Sequence, residues 1–298
     1  MIAIRNLLLN NSIRFLFFGG KGGFGKITFA GMSAIWAADH GRRVLLISTD
    51  PAHSLSDSLS QKFTYGKITP IKKVKNLSGL EIQSNYELSK NLTNQKLQEE
   101  GFNTSDSGLD LFLSFKNMVP PGIDEVIAFG KLLEFLQETD FDLIIFDTAP
   151  TGHTLRFLGL PDLLSSWMGN MIKLKLKFGK LLSNLKSAFS KKKENPQEQI
   201  LDNLELLKSS VGKIKNQLTN SEITSFIIVM IPESMAIFET ERLLGTLMQY
   251  EINSSNILVN HVIPKNTDCE FCKSRRKMQV NHVNEIKNLY QKEFQIKI

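Results

Sequence analysis

Continuously apolar segments recur along the chain and end at glycine, aspartate or proline. Five stand out: RFLFFGG (14–20), RVLLISTD (43–50), FDLIIFDTAP (141–150), TSFIIVMIP (224–232) and NILVNHVIP (256–264). Runs of this kind are typical of strands that are buried on both faces of a parallel sheet. Helical patterns lie between them, as in ITFAGMSAIWAADHG (27–41) and SMAIFETERLLGTLMQY (234–250). This alternation predicts an α/β fold, in which a mostly parallel sheet carries helices on both faces.

Two stretches interrupt this rhythm with helical or polar sequence that contains no candidate strand. They span about 86–122 and 161–221, and we expect them to form a helical insert. The remaining segments, 1–85, 123–160 and 222–298, are expected to form the domain that contains the sheet.

The composition is that of an ordinary soluble globular protein, with 298 residues of which 42% are hydrophobic and 22% are charged. Every apolar run is far shorter than the roughly 20 residues that span a bilayer, so we expect a cytoplasmic protein. The net charge of +6 is local, because residues 163–193 contain eight lysines and no acidic residue. The rest of the chain is close to neutral, which argues against general binding to nucleic acid.

The first predicted strand runs into GGKGGFGK (19–26), which fits the phosphate-binding template G-x-x-x-x-G-K-[ST] up to its last position. A loop between a strand and a helix N-terminus points backbone N–H groups at an anion, and the helix dipole adds positive potential. The candidate nucleotide-binding residues here are Gly20, Lys21, Gly22, Gly23, Gly25, Lys26, Ile27 and Thr28. A glycine-rich loop can also be a purely structural turn, so the surrounding residues decide between the two interpretations.

Two aspartates stand where the phosphates would lie. Asp50 ends one apolar run and Asp147 lies in another, so both are expected at the carboxyl ends of parallel strands beside the loop. One such aspartate is often a helix cap, but two of them near a phosphate loop favour a nucleotide site.

Several longer motifs resemble those of the arsenical-pump and guided-entry ATPases, a group with a deviant phosphate loop. The motifs are GGKGGFGKIT, ISTDPAHSLSD, PPGIDEVIAF, IIFDTAPTGHTLRFLGLP, FETERL and CEFCKSRRKMQ, which follow the family order from about residue 14 to 292. The resemblance implies a P-loop NTPase fold and an ATPase activity, with ATP and Mg²⁺ as cofactors.

The resemblance also implies roles for single residues. Lys21 matches the signature lysine that reaches the nucleotide of the partner subunit, and Lys26 matches the lysine that holds the phosphates in its own subunit. Asp50 matches the catalytic aspartate that orients the attacking water, and Asp147 matches the aspartate that holds a water of the magnesium shell. Asn260 matches an asparagine that reads adenine.

At Ile27 the chain departs from the family, which has a threonine whose hydroxyl ligates Mg²⁺ directly. Mg²⁺ demands near-octahedral oxygen coordination, and isoleucine supplies no oxygen. Thr28 cannot take over, because one step along a helix turns the side chain by about 100°. We therefore expect ATP to bind, Mg²⁺ binding to be weakened, and hydrolysis to be slow or absent. The family also continues beyond FQIKI (294–298) into a segment over the adenine, so reduced base affinity is expected.

Both cysteines of the chain, Cys269 and Cys272, lie in one C-x-x-C, which has the spacing of half a tetrahedral zinc site. A redox pair and two idle thiols are the alternatives, and His261 and His282 are the nearby nitrogen donors. Two subunits could complete four ligands by each giving a pair across a two-fold axis. The family does this, so a homodimer bridged by a structural Zn²⁺ is the favoured interpretation.

The lysine-rich segment carries an apolar stripe at steps of three and four residues, opposite its lysines. With a neighbouring methionine, its members are Met168, Met171, Leu174, Phe178, Leu181, Leu185 and Phe189. A surface helix packed on the domain would show the same pattern. The resemblance implies instead a client groove for a transmembrane helix, with the lysines facing an anionic membrane or the flanks of the client.

The favoured function is the one that the resemblance implies: a cytosolic homodimeric ATPase that delivers tail-anchored membrane proteins, closing on ATP and reopening on hydrolysis. FETERL (238–243) resembles a region that docks on a membrane receptor, although a plain amphipathic helix explains the same residues. A subunit of an arsenite pump is the second candidate, but such proteins use further cysteines. A holdase or adaptor that does not hydrolyse ATP is the third, and Ile27 favours it.

Overall fold

A computed structural model of the chain describes residues 2–48, 55–82, 139–147, 212–213 and 215–298. Most of the predicted helical insert, and all residues of the predicted client groove, lie outside the described residues. Asp50 also lies outside them.

Within the described residues, eight strands form one sheet in the order β3-β4-β2-β5-β1-β6-β7-β8. Their bounds are β1 Phe15–Gly19, β2 Val44–Ser48, β3 Thr69–Pro70, β4 Leu77–Glu81, β5 Leu143–Asp147, β6 Thr224–Met230, β7 Ser254–Val259 and β8 Gln295–Lys297. All neighbouring strands pair in parallel except β3, which runs antiparallel to β4. The predicted class, a mostly parallel sheet with helices, is confirmed.

Five helices with defined bounds accompany the sheet in the described part of the chain, where residues 212–213 and 215–219 are also helical. Their bounds are α1 Ile2–Leu9, α2 Lys26–Asp39, α3 Leu55–Ser58, α4 Ser234–Gln249 and α5 Glu270–Tyr290. Helix α2 contacts β1, β2 and β5, whereas α4 contacts β6 and α5 contacts β8. None of these helices is long and apolar enough to cross a membrane.

The core is centred on the strands that the continuous apolar runs predicted. Every residue of β1, β2, β5 and β6 is buried, as expected for strands that are covered on both faces. Phe17 of β1 stacks on Phe146 of β5 with 4.6 Å between ring centroids, and on Phe226 of β6 with 6.1 Å. These three residues are direct partners in the strand register, so the stacked rings hold the centre of the sheet in alignment.

The same register aligns the carboxyl ends of the central strands. Phe18 of β1 and Ser48 of β2 both lie opposite Asp147 of β5, and Gly19 lies opposite Ile228 of β6. The loop that follows Gly19 therefore leaves the sheet at the edge where β2 and β5 end. This edge is where ligands bind in open parallel sheets.

Candidate functional site

The loop between β1 and α2 is shaped by three glycines that have positive φ angles. These angles are 142° at Gly20, 82° at Gly23 and 92° at Gly25, in a region that residues with side chains rarely adopt. At Gly20 a Cβ atom would lie 2.0 Å from the carbonyl oxygen of Val229 in β6. Residue 20 must therefore be glycine for β1 and β6 to pair as they do.

The outer side of this loop is open. Among the described residues, no atom lies within 4 Å of the position that a Cβ would take at Gly22 or Gly23. The first backbone N–H groups of α2 have no partner inside the helix, and they begin where this loop ends. An open loop that leads into a helix N-terminus is the geometry that binds phosphate through backbone amides.

The two lysines of the loop lie in different surroundings. The side chain of Lys26 is buried, and its Nζ donates to the carbonyl oxygen of Lys21 at 3.5 Å. Lys21 itself is exposed. The ammonium of Lys26 is thus folded back against the loop, whereas Lys21 is exposed at the surface of the loop.

Ile27 and Thr28 follow Lys26 on the first turn of α2. Ile27 is half-buried and packs against the hydrophobic core, whereas Thr28 is exposed. The two side chains thus point in different directions, as the sequence predicted from helix geometry. The hydrocarbon of Ile27 supplies no oxygen ligand to Mg²⁺. The residue that follows Lys26 therefore fits the phosphates of a nucleotide without fitting direct coordination of its metal.

Asp147 is fully buried at the last position of β5. Since its register partners are Phe18 and Ser48, its carboxylate lies at the edge of the sheet from which the loop leaves. This placement agrees with the expected role of Asp147 in the magnesium shell, a role that stays a prediction.

Glu81 forms a contact that the sequence does not predict. It ends β4, is buried, and accepts hydrogen bonds from the backbone N–H of Ser56 at 2.8 Å and from the Ser56 hydroxyl at 3.1 and 3.2 Å. Ser56 belongs to the motif that contains Asp50, so Glu81 ties the end of that motif to the sheet. The available signal was a carboxylate at the end of the short segment LSGLE (77–81).

Asn260 is the first residue after β7, rather than part of the strand as the sequence suggested. Its backbone N–H donates to the carbonyl oxygen of Met230 at 2.8 Å, and its side-chain amide donates to the carbonyl oxygen of Phe24 at 2.9 Å. A Cβ at Gly25 would lie 2.4 Å from the same amide nitrogen. Asn260 therefore touches the phosphate loop directly.

The two cysteines lie at the N-terminus of α5. Cys269 is exposed and caps this helix, since its Sγ accepts from the backbone N–H of Cys272 at 3.4 Å. That N–H, followed by the Cys272 thiol, lowers the pKa of the Cys269 thiol, and the hydrogen bond between the two thiols raises the pKa of Cys272. No cluster of three or more metal-binding side chains occurs in the described part of the chain, so His261 and His282 do not complete a zinc site with this pair.

Gly20 and Gly22 offer a matched test of the loop geometry. Gly20→Ala is expected to lower the free energy of unfolding by about 3 kcal/mol, because the new methyl group meets the backbone of β6 and φ is strained. In Gly22→Ala the new methyl group has no neighbouring atom among the described residues, so the free energy of unfolding is expected to change by less than about 0.5 kcal/mol. Urea unfolding of both variants measures the difference, and equal losses would contradict the described path of the loop.

The chain matches the sequence profile of the anion-transporting ATPases over residues 13–298. It is 37% identical over 289 residues to "ATPase ASNA1 homolog 1" of Paramecium tetraurelia, which covers 96% of this chain and 86% of that protein. It is 38% identical over 291 residues to "ATPase get3" of Schizosaccharomyces pombe, with 97% and 85% covered. For "ATPase get3" of Sclerotinia sclerotiorum the identity is 39% over 292 residues, with 96% and 84% covered. An ATPase family implies the use of ATP and Mg²⁺. The chain therefore belongs to the anion-transporting ATPase family, as its motifs had indicated.

Proposed function

We propose that this protein is an ATP-dependent targeting factor that binds the transmembrane helix of tail-anchored membrane proteins. ATP binding closes a cytoplasmic homodimer and forms the groove, and hydrolysis reopens it. The observation that carries the ATP-dependent part of the proposal is the open glycine loop at the N-terminus of α2, with the buried Lys26 folded against it. The motifs that resemble the guided-entry ATPases favour this function. The presence of only two cysteines argues against transport of arsenite.

In this proposal the residues around the loop share the work on the nucleotide. The amides of 22–27 and the ammonium of Lys26 bind the phosphates of the same subunit, and the exposed Lys21 reaches the nucleotide of the partner. Asp50 orients the attacking water, and Asp147 is the residue that would hold a water of the magnesium shell.

The client groove is assigned to the stripe that runs from Met168 to Phe189. Similarity to the ATPase relatives covers 96–97% of this chain, so the comparison extends through the segment that carries the stripe. An apolar helical face binds another apolar helix by removing both from water, and the lysines opposite it suit an anionic surface.

A membrane receptor is proposed to dock on α4, which carries FETERL. Met235 and Phe238 lie three residues apart on this helix, and their exposed fractions are 59% and 64%. Residues three apart on a helix lie on the same side, so the two side chains form an apolar surface that a partner can cover.

The homodimer is proposed to be held by Zn²⁺ bound to Cys269 and Cys272 of both subunits. The hydrogen bond that lowers the pKa of Cys269 favours its thiolate, which is the form that binds metal. The described residues offer two thiols close together and no third metal ligand beside them, so we propose that a second copy supplies the other two ligands.

A holdase that binds clients without hydrolysing ATP is the second candidate. Ile27 favours it, because its side chain packs against the core and offers no oxygen to a metal.

Binding of a client tests the proposed function. A fusion protein that ends in a tail-anchor helix is expected to co-purify with this chain, and a fusion without the helix is not. Leu174→Asp should reduce the recovery at least about tenfold, because a carboxylate in an apolar contact costs more than the 1.4 kcal/mol that corresponds to that factor. Ser183→Asp introduces the same side chain away from the stripe and should leave recovery unchanged. Equal losses for the two variants would contradict the assigned groove.

Turnover tests the role of Ile27. Ile27→Thr is expected to raise the steady-state ATPase rate about tenfold or more, because it returns a direct oxygen ligand for Mg²⁺. Ile27→Val has nearly the same shape as the threonine variant but no hydroxyl, so its rate should stay at that of the original protein. Brisk and equal hydrolysis by all three proteins would contradict this account of Ile27.

Metal analysis tests the cysteine pair. Reduced protein should contain about one zinc per two chains and should elute as a dimer. Cys272→Ser should lose the zinc and become monomeric, whereas Ser274→Ala, at an exposed position on the same helix, should keep both properties. A zinc-free dimer under reducing conditions would count against the bridge.

A further inference from the structure

Asn260 connects two parts of the molecule that are far apart in sequence. Its side-chain amide donates to the carbonyl oxygen of Phe24, 236 residues earlier, at 2.9 Å. Its backbone N–H is itself held by the carbonyl oxygen of Met230, at the end of β6. Asn260 is thus held to the sheet through its backbone N–H and to the phosphate loop through its side-chain amide.

The contact lies at the point where the loop becomes a helix. Phe24 has its ring buried in the core, and the next residue, Gly25, caps α2 with φ 92°. A Cβ at Gly25 would lie 2.4 Å from Nδ2 of Asn260, so the amide occupies the space that any larger residue would need. The conformation of 24–25 sets the direction in which the first amides of α2 point.

The hydrogen-bonding capacity of the amide permits more than one role. The bond to Phe24 uses one of two amide hydrogens, which leaves the second hydrogen and the carbonyl oxygen for another partner. A contact with adenine would use the second amide hydrogen and the carbonyl oxygen of Asn260. The hydrogen bond that holds the loop uses the first amide hydrogen, so it forms whether or not a base is bound.

We propose that Asn260 is a positioning residue for the phosphate loop. Its amide holds Phe24 and Gly25 in the conformation that aims the amides of α2 at the phosphates, in addition to any contact with adenine. The inference rests on the proposed nucleotide site and assigns to Asn260 a role in binding the triphosphate itself.

Inorganic tripolyphosphate separates the two roles, since it carries the phosphates without a base. Calorimetric titration of ATP and of tripolyphosphate, both without Mg²⁺, gives the affinities of the original protein and of Asn260→Ala. We expect the variant to bind both ligands about tenfold more weakly, because the hydrogen bond that fixes the loop is lost. Asn256→Ala is the matched control: it lies in β7, the strand that Asn260 follows, and its amide donates to the Ser255 hydroxyl. The control should bind both ligands as the original protein does.

A weakened affinity for ATP with an unchanged affinity for tripolyphosphate would overturn the inference, since it would assign Asn260 to the base alone. Failure of the original protein to bind either ligand would instead overturn the proposed nucleotide site, and the inference with it.

Hydrogen exchange gives a second readout that needs no ligand. In nucleotide-free Asn260→Ala, the amides of 22–27 should exchange about tenfold faster, while those of the core strand β2 stay protected. Unchanged exchange at these amides would also overturn the positioning role.

Discussion

The phosphate loop depends on the close approach of the chain at residue 20 to the backbone of β6. At Gly20 the chain leaves β1 with φ 142°, and a Cβ there would lie 2.0 Å from the carbonyl oxygen of Val229. Because β1 pairs with β5 on one side and with β6 on the other, the chain at residue 20 cannot shift within the sheet away from Val229. The loop must therefore rise from the sheet, and α2 begins at Lys26 with its N-terminus over the carboxyl ends of the strands. Each proposed contact with phosphate follows from that position.

The site divides into a part made by backbone and a part made by side chains. Its phosphate-binding part consists of amides whose directions are set by glycines, by strand pairing and by the bond from Asn260 to Phe24. On the metal side of the proposed site, Ile27 offers no oxygen ligand. Binding and turnover can therefore change separately in this fold. A chain that keeps the first and weakens the second can still change its conformation with nucleotide, which is the property that a targeting factor needs.

Features of the structure can be predicted from the sequence when they depend on residues that are close together along the chain. Five strands could be predicted because burial on both faces requires continuous apolar residues. Strand β4 was missed because Ser78 and Gly79 interrupt its apolar run, and β3 and β8 are too short and polar to give a pattern. The loop could be predicted, since it depends on neighbouring glycines. The bond from Asn260 to Phe24 could not, because it joins residues that only the assembled sheet brings together.

We infer that this site holds a triphosphate through its loop, with little help from a directly bound metal. The decisive measurement is the affinity of the unmodified protein for ATP, determined with and without Mg²⁺. We expect saturable binding in both cases, with affinities that differ by less than about threefold, because no side-chain oxygen at residue 27 couples the metal to the loop. Absence of saturable binding, or an affinity that rises more than about tenfold with Mg²⁺, would contradict it.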